Sequence, residues 1–99
     1  MRIVEIIPHL TSGGSERFVV DLCNELAAHN EVCLLLFYPL EDSTLHFLLP
    51  EVRESVRVIS LDKVRGVDFK LIFRLRRAIR DFAPDVVHTH GRAFIYAFL

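Results

Sequence analysis

The chain has 99 residues, 52% of them apolar, and a formal net charge of −1. This length is one domain at most, enough to bury somewhat over ~60% of the extended surface, and the near-neutral charge argues against a nucleic-acid partner. No run approaches a membrane span or forms a signal peptide; Cys23 and Cys33 are too few and too far apart for a metal knuckle or disulfide framework, and they read as buried free thiols of a reducing, cytoplasmic compartment.

Residues 3–7, Ile-Val-Glu-Ile-Ile, form a nearly unbroken β-branched run, the pattern of a strand covered on both faces. Pro8 ends it. Residues 11–15, Thr-Ser-Gly-Gly-Ser, are turn chemistry, and Ser12 or Ser15 is the expected helix cap. Phe18, Val19, Leu22, Cys23, Leu26 and Ala27 then recur at three and four, giving a helix with one buried face that ends at His29-Asn30. A strand that feeds a helix through paired glycines offers unpaired N–H groups and a partial positive charge, a favourable place for an anion. Gly13, Gly14, Ser15 and Glu16 are therefore the first candidate site. From spacing alone they also fit an ordinary tight βα turn, because the dinucleotide pattern G-x-G-x-x-G is not present.

Glu31 to Phe37 is a second unbroken strand, followed by a loop at 38–43, and Thr44 to Leu49 fits a short helix stopped by Pro50. Ser55 to Leu61 alternates more, as an edge strand does. Asp68 is placed to cap a helix running to Phe82, with Leu71, Leu75, Ala78, Ile79 and Phe82 as its apolar stripe. Lys70, Arg74, Arg76, Arg77 and Arg80 give this helix a basic face. It is either a solvated surface or, over residues 69–82, a peripheral contact with anionic lipid. Val86 to His90 is a fourth short strand. Residues 93–99 are apolar with no terminating signal, from which the chain is expected to be the N-terminal piece of a longer protein, able to form a homodimer through this segment.

Strands alternating with helices specify an α/β layer fold with a parallel sheet. Right-handed crossovers give the strand order 3-2-1-4. The crevice at the carboxyl ends of strands one and four is then the topological switch point, where open α/β sheets bind ligands. It brings the Gly13-Gly14 loop beside the 86–90 strand. His88 and His90, two apart in a strand, share a face. No third ligand is evident, and His-x-His at a strand end is not itself a metal site, so no metal is expected. His9 and Thr11 lie on the loop, within reach of a ligand.

Two motifs, residues 8–17 (Pro-His-Leu-Thr-Ser-Gly-Gly-Ser-Glu-Arg) and 84–91 (Pro-Asp-Val-Val-His-Thr-His-Gly), together resemble the retaining glycosyltransferase family 4. The likeness covers essentially the whole chain. It implies a Rossmann-like three-layer sandwich, the truncated N-terminal half of a GT-B fold, with residues 1–99 a partial acceptor-side domain. The donor-binding C-terminal domain would be the missing partner, and the chain alone would be inactive. The implied function is sugar transfer from a nucleotide-sugar to a glycan or lipid-linked acceptor in bacterial surface polysaccharide synthesis, at the inner face of the plasma membrane. No cofactor or metal is implied, because a helix dipole and basic side chains of the other domain stabilise the leaving diphosphate. By the same resemblance, His90 contacts the reacting sugar, and Gly13, Gly14, Ser15 and Glu16 face the donor phosphates and the acceptor. His9, Thr11, His88 and Arg92 are candidate acceptor contacts, with His88 the more packed of the two histidines.

The alternatives are a non-enzymatic flavodoxin-like or receiver-like module and a Rossmann nucleotide-binding module. A receiver needs an acidic pair after strand one, where this chain has Pro8-His9-Leu10. A dinucleotide domain wants an acid ending strand two, where it has Phe37-Tyr38-Pro39.

Overall fold

The computed structural model describes residues 1–64, 66, 68–91 and 93. Four strands form one parallel sheet: β1 (Arg2–Ile7), β2 (Glu31–Leu36), β3 (Val56–Ser60) and β4 (Val86–Thr89), in the order β3-β2-β1-β4. Two helices, α1 (Gly14–Leu26) and α2 (Lys70–Phe82), cover it. The architecture is the α/β layer fold, strand order included, that the periodicity specifies.

Alternation along the strands divides the core in two. Val4, Ile6, Cys33 and Leu35 pack with Leu71, Leu75 and Phe82 of α2. Ile7, Val32, Leu34 and Leu36 pack with Val19, Val20 and Cys23 of α1. The helices therefore lie on opposite faces, as two right-handed crossovers require. Both cysteines are buried and free. Burial, with the negative charge of Glu5 adding, pushes the Cys23 thiol up to about 12, and burial pushes Cys33 up to about 11. Neither is a nucleophile at neutral pH.

Several local expectations are corrected. α1 is capped by the backbone of Gly13 (φ −68°, ψ 166°), with no hydrogen bond from Ser12 or Ser15. It ends at Leu26, three residues early; Asn30 is not left-handed but donates its side-chain amide to the Leu26 carbonyl, 2.9 Å away. Phe18 is 56% exposed. The inward positions are Glu16, Val19, Val20 and Cys23, an i, i+3, i+4, i+7 set that leaves Phe18 off the stripe. No helix spans 44–49; turns lead into one 3-10 turn at Leu49–Glu51, with Pro50 inside it rather than ending it. Prolines suit the first turn of a helix because their missing N–H is unpaired there in any case.

The 37–49 segment fixes the loop after β1. The Leu10 amide donates to the Leu45 carbonyl, and Leu48 donates to the Leu10 carbonyl, at 2.8 and 2.9 Å. Leu10 and Leu48 are both buried.

Asp68 precedes α2 as expected and does more than cap it. Its buried carboxylate accepts from the Leu71 amide, the Val64 amide and Arg74 Nη2, the last at 2.7 Å. Arg74 also donates to the Leu61 carbonyl, tying β3 to α2. The Arg74 hydrogen bond holds the Asp68 carboxyl below its ordinary value of 3.8 against the opposing effect of burial. A depressed folded-state value means that this stabilisation is full above 3.8 and is lost as pH falls through the folded value. Asp68→Asn is accordingly expected to lower the urea midpoint at pH 7, with the gap to wild type closing below pH 3.8.

Candidate active site crevice

At the carboxyl ends of β1 and β2 lies a cavity of about 450 Å³. Its wall includes His9, Ser15, Glu16, Tyr38, Lys63 and Gly91. It sits at the switch-point end of the sheet, and the size suits a small ligand such as one or two sugar rings. The His9 and Tyr38 rings lie roughly parallel, 6.3 Å between centroids. Lys63 Nζ stands 5.4 Å from the Tyr38 centroid and donates to the Val64 carbonyl at 3.1 Å. His9 Nδ1 is buried and has no hydrogen-bond partner among the described residues.

The helix start already holds an anion. Glu16, the third residue of α1, turns its carboxylate back over the loop, where Thr11 Oγ1 and Ser15 Oγ donate to it. Burial pushes the Glu16 carboxyl up, but the hydrogen bonds from Ser15 and Thr11 and the nearby His9 outweigh it, so it is lowered overall. The expected anion site is thus occupied by the chain's own side chain.

This carboxylate also explains Gly13. A Cβ there would stand 2.6 Å from Glu16 Oε2, whereas one on Gly14 meets nothing within 4 Å. Gly13→Ala must evict the carboxylate from its two hydroxyls and is expected to cost about 1 kcal/mol, the worth of a lost hydrogen bond. Gly14→Ala adds a helix former at an open position and is expected to raise stability by up to ~1 kcal/mol. Thermal unfolding of the two variants should move in opposite directions.

The histidines are arranged differently from expectation. The parallel register sets Glu5 of β1 opposite His88 of β4. Both histidines reach the same oxygen: Glu5 Oε1 lies 2.6 Å from His90 Nε2 and 3.0 Å from His88 Nδ1. The imidazole rings are 4.3 Å apart. It is His90 that is packed, its side chain 9% exposed, while the His88 side chain is 52% exposed. His90 follows the last residue of β4 and lies against Phe18 of α1, whereas His88 has no described aromatic neighbour other than His90. The His90 ring is turned toward Glu5, with Phe18 edge-on at 6.3 Å, and the cavity wall beside it is formed by Gly91 (φ +61°). A carboxylate 1% exposed within a strand was not singled out from the sequence, and it is the partner the histidines share. Its signal was a charged residue at a strand position that both-face burial reserves for apolar side chains.

His9, Ser15 and Glu16 come together on the cavity wall, and Thr11 joins through Glu16. Arg17 faces away, paired with Glu51 at 2.8 Å. Arg92 lies outside the described residues, as does the 94–99 segment expected to drive dimerisation.

The sequence model of Glycosyltransferase Family 4 matches residues 12–99. The chain belongs to Glycosyltransferase Family 4. A curated family-type relative, from Campylobacter jejuni subsp. jejuni serotype O:2, is GalNAc-alpha-(1->4)-GalNAc-alpha-(1->3)-diNAcBac-PP-undecaprenol alpha-1,4-N-acetyl-D-galactosaminyltransferase; it is 33% identical over 94 residues. The match covers 87% of this chain and 24% of that relative, so the chain spans about a quarter of its length. The family match takes in both Gly13-Gly14 and the 84–91 motif, and the strand order makes those two segments neighbours at one end of the sheet.

Proposed function

We propose that this chain is the acceptor-side part of a family 4 glycosyltransferase, which moves a sugar from a nucleotide-sugar to a glycan or lipid-linked acceptor in bacterial surface polysaccharide synthesis. The observation that carries this is the cavity at the switch point, walled by both segments that bear the family's motifs. Catalysis would need a second, donor-holding domain and no cofactor. His9, Tyr38 and Lys63 contact the acceptor sugar by ring packing and hydrogen bonds. His90, held by Glu5 beside the cavity wall at Gly91, meets the reacting sugar. Because Glu16 fills the helix start, the donor diphosphate is neutralised mainly by the other domain. The likeness to an enzyme named for an undecaprenyl-diphosphate acceptor supports a lipid-linked substrate. The test is to incubate the full protein with a nucleotide-sugar panel and undecaprenyl-diphosphate oligosaccharides and to look by mass spectrometry for extension by one sugar. A panel that leaves every acceptor unextended counts against the proposal.

No helix among the described residues is long and apolar enough to cross a membrane. Reaching a lipid-linked acceptor then calls for a surface contact, and α2 fits one. Phe69 and Phe73 are 74% and 71% exposed. At about 100° per residue they share the outward face with Arg77 and Arg80, opposite buried Leu71, Leu75 and Phe82. Aromatic rings among arginines suit the headgroup region of anionic lipid. Phe69→Ser with Phe73→Ser is expected to abolish cosedimentation with phosphatidylglycerol vesicles without lowering thermal stability.

A further inference from the structure

Glu5, His88 and His90 offer two imidazole nitrogens and one carboxylate oxygen, all within 4.8 Å of one another. We propose that these three side chains form a binding site for a borderline divalent transition-metal ion, Zn²⁺ being the type case. The donor set is one that zinc takes in three-ligand sites, two histidines and a carboxylate with an open fourth position. The sheet supplies its placement: the β1–β4 register sets Glu5 beside His88, and the two-residue repeat brings His90 to the same face.

Two features favour an ion over a hydrogen-bonded cluster alone. Glu5 is 1% exposed, and its oxygen Oε1 gathers both imidazoles on itself. A buried carboxylate is costly unless its charge is balanced, and a dication bonded to its oxygen balances it directly. The separations are also nearly right. Ligand atoms at zinc bond lengths of about 2.0–2.1 Å stand a little over 3 Å apart in a tetrahedron, so His90 Nε2, 2.6 Å from Glu5 Oε1, has to withdraw by well under ~1 Å. In the loaded site each imidazole presents a lone pair from the nitrogen that faces Glu5, so that nitrogen carries no proton there. His88, half-exposed, leaves the entry path and the fourth position open to water.

The proposal shares Glu5 and His90 with the glycosyltransferase reading but is tested by binding alone, so its failure leaves that reading standing. The full protein, stripped with a chelator, is titrated with ZnCl₂ by calorimetry and with Co²⁺ by visible absorption. One saturating ion per chain and the d–d bands of low-symmetry cobalt are expected. Loss of groups that merely support zinc ligands costs about 10–100-fold in affinity, so His88→Ala and His90→Gln should each weaken zinc by at least ~10-fold. His29→Ala, at an exposed and distant histidine, should leave it unchanged. His88→Ala alters a half-exposed side chain and retains the fold; Glu5→Gln, checked by circular dichroism, supplies the third ligand's test. No saturable uptake by the wild type, or uptake indifferent to both His88→Ala and His90→Gln, overturns the site.

Discussion

Replacing Leu34 with alanine is expected to destabilise the protein by about 2–5 kcal/mol, read from urea unfolding. Leu34 is fully buried in β2, paired on one side with Glu5 and on the other with Val58, and packed under α1. Neighbours on three sides prevent the sheet from collapsing into the vacated space, which puts the cost toward the upper end. Phe18→Ala removes a larger side chain from a helix predicted to bury it, yet the ring is 56% exposed, so its cost is expected to stay near ~0.5 kcal/mol. A larger loss at Phe18 than at Leu34 would contradict the core described above.

The second large effect concerns turnover. In the full protein, His90→Ala is expected to lower kcat for sugar transfer by about 10²–10³-fold, the scale on which a positioned donor to a charged transition state is worth having. On the proposed function, which assigns the donor mainly to another domain, KM for the nucleotide-sugar should change little. Glu5→Gln keeps one acceptor oxygen for the imidazole and is expected to lie between wild type and His90→Ala. A raised KM with kcat unchanged for His90→Ala would place the residue in uniform binding rather than at the reacting atoms.

The strand order was legible because unbroken β-branched runs separated by helical repeats admit few topologies. The same logic put the Gly13-Gly14 loop and the 86–90 strand at one end of the sheet, where the structure has them. The α2 stripe from Leu71 to Phe82 was legible too, since its apolar residues all fall within one arc of the helix. What escaped was anything set by a partner distant in sequence. Glu5 looked like an interruption in an apolar run, and only the pairing with His88 gives it a role. Phe18 looks like a core residue because it is large and apolar, but burial follows the face of the helix and not the residue type. Glu16 turning back over Gly13 required the loop's actual path, which is set by backbone bonds from Leu10 to the 45–48 segment. The two histidines were correctly placed on one face, while their relative burial depended on the approach of Phe18 of α1 to His90.

The central claim is that acceptor sugar lodges in the crevice at the carboxyl ends of β1 and β2, walled by His9, Ser15, Glu16, Tyr38, Lys63 and Gly91. The most direct measurement is a titration of the isotopically labelled chain with an undecaprenyl-diphosphate oligosaccharide or its soluble glycan, followed by amide and imidazole NMR shifts. The account predicts saturable shifts concentrated at His9, Thr11 to Glu16, Tyr38, Lys63 and His90-Gly91. Shifts confined instead to the groove between β3 and α2, around Arg57, Arg74 and Arg77, would contradict it.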